Sequence, residues 1–172
     1  IFLIIIICVI QKSFSQSLSV NISATDTTIC NGESITLKAN ATGSSSYTYK
    51  WSNNLTTLQI TVNPNNTTTY TVTVTDTSGT TATSSIVIFV NPKPSLSISP
   101  NNLTICPGTN TTLTVSGANS YIWSTGQTSS TINISPQNTT TYTVTGTNQY
   151  GCSSIASIQV NVHSKPTANF SF

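Results

Sequence analysis

Few side chains in this sequence could carry acid–base chemistry. Asp26, Glu33 and Asp76 are the only carboxylic acids, and His163 is the only imidazole. General acid–base catalysis needs a positioned, tuned pair of such groups, and nucleophilic catalysis needs a base beside the attacking hydroxyl or thiol. No Asp/Glu pair, Ser-His-Asp set or phosphate loop assembles from these positions, so no catalytic or cofactor-binding residue is expected and the chain reads as a non-enzyme. Calcium wants clustered charged oxygens and zinc wants close-set ligands; neither pattern occurs, and no metal is expected. Asp26 and Asp76 read as turn residues. The five lysines are scattered, arginine is absent and the formal net charge is +2. That balance is too weak and too dispersed to imply nucleic acid.

The aromatic side chains are the other candidates. Tyr47, Tyr49, Tyr121 and Tyr150 sit near expected loops, and Tyr47 and Tyr150 are the expected surface contacts for a ligand, while Tyr49 and Tyr121 could instead flank a tryptophan. Trp51 and Trp123 could stack on sugars or fill a core. A run of threonines, Thr69 to Thr75, could face a flat polysaccharide or ice, but a solvent-facing antiparallel strand is the ordinary source of such a run. Several asparagines, Asn21, Asn40, Asn66, Asn110 and Asn138 among them, stand in N-x-Ser/Thr, a pattern that an Asn- and Thr-rich chain produces by composition alone.

The elements behind these residues follow from two copies of Thr-Thr-Thr-Tyr-Thr-Val-Thr, at Thr67 to Thr73 and Thr139 to Thr145. Tyr70, Val72 and Val74 alternate with threonines, a period of two that marks a strand with one apolar face. Trp51 and Trp123, Pro64 and Pro136, Tyr70 and Tyr142, Gly79 and Gly151, and Pro94 and Pro166 all share an offset of 72, which is an internal repeat. Cys30 and Cys106 differ by 76, so the first copy holds four extra residues between its cysteine and its tryptophan. The insertion is expected in the loop Gly43-Ser44-Ser45-Ser46.

Each copy shows six strands separated by turn signals and no useful helical period. Strands are expected near 18–23, 34–40, 47–52, 58–62, 68–74 and 84–90, and again near 96–99, 111–115, 120–123, 130–134, 140–145 and 155–162. Short strands at this spacing imply an all-β fold of two β-sandwiches. Trp51, Tyr70, Trp123 and Tyr142 are expected in the cores, with Leu37, Ile60, Val62, Val72, Ile86 and Ile88 in the first and Leu113, Ile132, Ile134, Val144, Ile158 and Val160 in the second. Asn91-Pro92-Lys93-Pro94 reads as a short, semi-rigid linker.

Ile1 to Ile10 is unbroken apolar sequence, too short for the ~20 residues of a membrane span. It fits the core of a signal peptide, with Ser13-Phe14-Ser15 as the cleavage site. A membrane anchor is the other reading. The expected organisation is a signal peptide over 1–15, repeats over 16–92 and 93–165, and the start of a third β-domain over 166–172. The chain is thus expected to be a piece of a longer protein, secreted or displayed at a cell surface.

Thr28-Ile29-Cys30-Asn31-Gly32, Tyr49-Lys50-Trp51-Ser52 and Thr67 to Val72, matched by Thr104 to Gly108, Tyr121 to Ser124, Thr139 to Val144 and Gly151-Cys152, resemble the Ig-like and PKD-like repeats of large secreted or cell-surface proteins of Bacteroidetes. Pro166 to Phe172 resembles the opening of a PKD domain. The resemblance implies tandem Ig-like sandwiches, tryptophan in the core of the third strand, neighbouring domains of the same chain as partners, and export of the kind that uses type IX secretion. It implies a non-catalytic structural or adhesive stalk; the alternative is an accessory, carbohydrate-binding module of a secreted hydrolase, with an extracellular glycan or protein as ligand.

The cysteines can now be placed. Cys8 lies in the signal stretch, and Cys152 aligns with Thr80, so only the second copy can form an internal pair. A Cys106–Cys152 disulfide is expected, which suits an oxidising compartment and would add about 3–4 kcal/mol. The other outcome is two unpaired thiols: in a plain Ig topology the first turn and the last hairpin lie at opposite ends, and the sulfurs cannot meet. Cys30 is left odd, either buried or available to another chain.

Overall fold

The structure is a computed structural model and describes residues 17–163. The expected signal peptide over 1–15 and the expected third domain over 166–172 lie outside the described residues. The chain forms two compact units, one reaching Phe89 and the other starting at Val90.

Among the described residues every regular element is a strand. The first unit holds β1 (Ser19–Ser23), β2 (Thr28–Cys30), β3 (Ile35–Thr42), β4 (Tyr47–Trp51), β5 (Gln59–Val62), β6 (Thr68–Asp76) and β7 (Thr81–Asn91). The second holds β8 (Ser97–Ser99), β9 (Leu103–Ile105), β10 (Thr111–Ser116), β11 (Ser120–Trp123), β12 (Thr131–Ile134), β13 (Thr140–Thr147) and β14 (Ser153–Val162). The first unit orders them as β1-β3-β5 and β2-β7-β6-β4, and the second as β8-β10-β12 and β9-β14-β13-β11. The two units therefore share one topology. It is that of an Ig-like β-sandwich, and the protein is a tandem of two.

β2 and β9 have no counterpart among the expected strands. Each is three residues long, too short to show an alternation. β9 pairs in parallel with the end of β14, Ile105 opposite Val162. Both short strands lead straight into the turns that carry Cys30 and Cys106.

The long strands form because Thr, Val, Tyr and Ile suit a pleated surface, and alternation sends the apolar half inward. In β6, Tyr70, Val72 and Val74 are buried; in β13, Tyr142, Val144 and Gly146 are. Trp51 and Trp123 are nearly inaccessible, at 1% and 2% exposure. Each indole N–H reaches a backbone carbonyl six residues on, at Thr57 (2.9 Å) and Ser129 (3.0 Å). Burying the rings without that bond would strand a donor, at a cost of roughly 1–3 kcal/mol. Ile86 is only half-buried, whereas its counterpart Ile158 is buried.

The insertion lies elsewhere than expected. Gly43 and Gly117 both open the loop after the third strand of their unit, each with φ of 104°. Gly43 follows Leu37 by six residues and Gly117 follows Leu113 by four, while Trp51 follows Gly43 by eight and Trp123 follows Gly117 by six. The four extra residues are thus split, two before the glycine and two after. β3 and β4 are correspondingly longer than β10 and β11. Tyr47 confirms the phase. Its hydroxyl donates to Ser44 O (2.6 Å) and accepts from Ser44 N (2.9 Å), just as the Tyr121 hydroxyl does with Ala118 (2.9 and 3.0 Å).

Candidate functional site

The tyrosines separate by environment. Tyr121 is 9% exposed and belongs to the core of the second unit, which removes it from the surface candidates. Its ring can lie inward because Gly146 stands opposite it and brings no side chain. Tyr47 is half-buried, its hydroxyl occupied by Ser44 and its ring 6.5 Å from that of Tyr49. Tyr150 is 54% exposed at the tip of the β13–β14 hairpin. Tyr47 belongs to the first unit and Tyr150 to the second. Burial in an apolar core pushes the phenols of Tyr70 and Tyr142 above the ordinary value.

The outer face of β11, β13 and β14 is the most distinctive surface. None of the three strands carries a charge. Register places Ile122 beside Thr145 and Thr145 beside Ile155. The two isoleucines are 61% and 73% exposed. A groove of about 670 Å³ runs along the same edge, lined by Tyr121, Ile122, Ser130, Thr145 and Thr147 among others. The first unit has Lys50, Thr73 and Thr83 in the equivalent row. Its exposed apolar residues on this sheet are Val87 and Phe89, where the second unit has Gln159 and Asn161. Only alternation marks which residues face out; the sequence patterning shows no special value for Ile122 or Ile155.

The closing hairpins are built alike from different chemistry. In the first, the Asp76 carboxylate accepts from Ser78 N (2.8 Å), Ser78 Oγ (2.9 Å) and Thr80 N (2.9 Å). Desolvation pushes its carboxyl up, but these bonds outweigh that and hold it below the ordinary range. In the second, Asn148 Oδ1 accepts from Tyr150 N (3.0 Å) and Cys152 N (3.1 Å), and its Nδ2 donates to Pro92 O (2.8 Å). A carboxylate has no donor for that last bond.

The cysteines correct the expected pairing. Among the described residues Cys106 is free and exposed, while Cys30 and Cys152 are each disulfide-bonded. The reason lies in the strands. Cys106 follows Ile105, which pairs with Val162 at the end of β14, whereas Cys152 immediately precedes the start of β14 at Ser153. A ten-residue strand separates them by roughly 30 Å, far beyond disulfide reach. Cys152 is buried, and its sulfur lies 3.9 Å from Asn91 O. Cys30 and Cys106 open matching turns: Glu33 N donates to Cys30 O (2.9 Å) and Thr109 N to Cys106 O (3.1 Å). In each, a glycine with positive φ, Gly32 at 85° and Gly108 at 69°, takes the third position.

Among the described residues, no group of three or more His, Cys, Asp or Glu could hold a metal ion. Among the same residues, no helix is long and apolar enough to cross a membrane.

No family model matches the chain, and no curated protein does. Solved structures of tandem Ig domains do resemble it. The three N-terminal domains of the bacteriophage RB49 Highly Immunogenic Outer Capsid protein are 22% identical, with a TM-score of 0.43 over 85% of this chain and 59% of that one. The N-terminal eight Ig domains of Down Syndrome Cell Adhesion Molecule are 14% identical, with a TM-score of 0.46 over 87% of this chain and 24% of that one. Murine CEACAM1b is 14% identical, with a TM-score of 0.38 over 84% of this chain and 100% of that one. The chain thus spans well under two thirds of the first two structures.

Proposed function

We propose that this protein is a non-catalytic structural and adhesive segment, secreted or displayed at a cell surface, in which Ig-like domains in tandem space and present a contact surface. The observation that carries this reading is the contrast between constant interior and changed exterior. At the centre of the two cores Trp51, Tyr70 and Val72 match Trp123, Tyr142 and Val144, whereas the equivalent outer rows read Lys50-Thr73-Thr83 and Ile122-Thr145-Ile155. A scaffold that keeps its core while its surface diverges is what a series of display or spacer domains requires. The disulfide-bonded cysteines support an oxidising compartment. The Bacteroidetes-type repeats, the boundaries at 16–92 and 93–165, the signal peptide and type IX export belong to this proposal. So do the partners: neighbouring domains of the same chain and an extracellular glycan or protein.

The test is to assay the purified chain against polysaccharide and peptide substrates and, in parallel, to measure retention of beads coated with it on extracellular proteins and glycans. The proposal expects no turnover, and retention that weakens when Ile122→Lys and Ile155→Thr are introduced. Turnover by the chain would end it.

The alternative, an accessory carbohydrate-binding module of a secreted hydrolase, draws on one observation, the exposed ring of Tyr150 at a hairpin tip. Stacking of a sugar on that ring would show as retardation in affinity electrophoresis, lost in Tyr150→Ala. Equal mobility of both proteins on every glycan would exclude it.

A further inference from the structure

β11 is the edge of its sheet, since the order β9-β14-β13-β11 leaves no strand on its far side. Ser124 N donates to Thr143 O (2.8 Å), so the positions bonded to β13 are Ser124 and, two residues before it, Ile122. The alternate residues turn their backbone outward. Trp123 is one of them: its N–H donates to Gln127 O (2.9 Å) and its C=O accepts from Gly126 N (2.8 Å), so its own turn occupies both groups. Tyr121 is the other. Its N–H and C=O are directed to the open edge, along the groove of about 670 Å³ that Asn119, Ser120, Tyr121, Ile122, Thr128 and Ser130 help to line. β4 repeats this geometry in the first unit. It too ends its sheet, Ser52 N donates to Thr71 O (2.8 Å), Trp51 N donates to Leu55 O (2.8 Å), and Tyr49 turns outward. The two edges differ in what stands beside that outward residue. In β4 it is Lys50, and a charge on an edge strand discourages pairing. In β11 it is Ile122, 61% exposed.

We propose that this edge pairs with β11 of a second copy of the chain, antiparallel about a two-fold axis, so that the two sheets continue into one. This pairing rests on the contact surface proposed above and names what occupies it. The occupant is an extended strand, because a donor and an acceptor on one outward residue are matched by the donor and acceptor of another strand. A second copy fits in each respect. With the axis at Tyr121, its N–H donates to the Tyr121 carbonyl of the second copy and its carbonyl accepts the reverse bond, an isologous pair. Ser120 then stands opposite Ile122 of the second copy, a small side chain against a branched one. The two Ile122 side chains lie on the diagonal, roughly 7–8 Å apart, where long side chains still touch. Thr145 and Ile155 extend the row on either side. None of β11, β13 and β14 carries a charge, so no like charges meet. The same operation on β4 would set two lysines on that diagonal, and like charges side by side oppose association. The second unit therefore carries the pairing edge, and the first does not.

The experiment is sedimentation equilibrium of the purified chain at rising concentration, with hydrogen exchange at the Tyr121 and Tyr49 amides followed by NMR in the same samples. The expected result is a reversible monomer–dimer equilibrium below about 1 mM. Exchange at Tyr121 should slow at least about tenfold as the dimer forms, because its N–H gains a partner, while exchange at Tyr49 does not depend on concentration. Ile122→Lys, which copies the first unit, should weaken the dimer about tenfold or more, and a thermal melt checks that the variant is folded. The amide measurement needs no variant and stands by itself. A chain that stays monomeric over this range overturns the proposal. So does a dimer that leaves exchange at Tyr121 unchanged, or one that Ile122→Lys forms as tightly as the parent. A monomer that is still retained on extracellular proteins or glycans refutes the second copy as occupant and leaves the adhesive reading standing.

Discussion

Where the first unit sets Lys50, Thr73 and Thr83 in a row across three strands, the second sets Ile122, Thr145 and Ile155. One residue layer further in, Trp51, Tyr70 and Val72 of the first unit correspond to Trp123, Tyr142 and Val144 of the second with no change of type. The difference is one of physics. An inward position must fill a fixed volume at close packing, and a misfit of one or two methylenes costs about 1–3 kcal/mol. An outward position on the same strand tolerates exchange within about 0.5 kcal/mol. Adjacent residues on one strand are therefore under unrelated constraints: the outer row changes between the units while the Trp, Tyr and Val beside it do not.

The severest test of this equivalence is at its centre. Trp51→Ala and Trp123→Ala should each cost about 3–5 kcal/mol, and by similar amounts, because both indoles fill the same niche and donate the same bond. Urea unfolding monitors both; costs differing by more than about 2 kcal/mol would break the match between the cores.

Next come the cysteines, one buried and disulfide-bonded, the other exposed and free. Cys152→Ser should destabilise by about 2–5 kcal/mol, since it removes a disulfide-bonded cysteine. Cys106→Ser should change stability by no more than about 0.5 kcal/mol, as for other exposed positions. Equal effects would show that Cys106 is engaged.

Gly146 sharpens the comparison inside the core, because its counterpart is Val74. A Cβ at 146 would stand 2.4 Å from Leu96 Cδ2 and 3.0 Å from Ala118 Cβ. Gly146→Val, although it restores the residue used by the first unit, should therefore destabilise by about 1–3 kcal/mol in a circular-dichroism melt.

Acid and alkali separate the units differently. The Asp76 carboxyl is depressed, so its contribution is present above the ordinary value of 3.8 and is lost as pH falls through the lower folded value. Asp76→Asn should flatten the acid limb of melting temperature against pH, and substitutions at Asn148 should leave that limb unchanged. Tyr70 and Tyr142 are raised acids: the unfolded phenol ionises first, and stability falls as pH rises past the ordinary 10.0. Tyr70→Phe and Tyr142→Phe should flatten the alkaline limb equally. The smallest effect belongs to Ile155→Thr, which copies Thr83 and should move stability by less than about 0.5 kcal/mol.

Much of the frame was legible because alternation over five or more residues leaves a clear period. The paired Trp and Tyr positions followed from the offset of 72. What escaped detection lacked such a signal. Three-residue strands such as β2 and β9 show no period. The disulfide pairing depends on which end of a strand each cysteine occupies, and the sequence showed the equivalence of Cys30 and Cys106 without that placement. Tyr121 was open between the surface and the flank of the tryptophan, because its burial depends on a glycine across the sheet, a cross-strand fact invisible along one strand.

The split insertion around Gly43 has a consequence for how such domains can change length. Side chains on a strand take opposite sides in turn, so lengthening is governed by parity. Two residues in each arm carry the loop outward by one full pleat and return every later side chain to its former side; Lys50 still faces out and Trp51 still faces in. A single residue added to either arm would invert everything beyond it, pointing tryptophan at water and lysine at the core. This corner of the fold can therefore grow only in even steps on each side, and indels among related domains should be counted per arm, by twos.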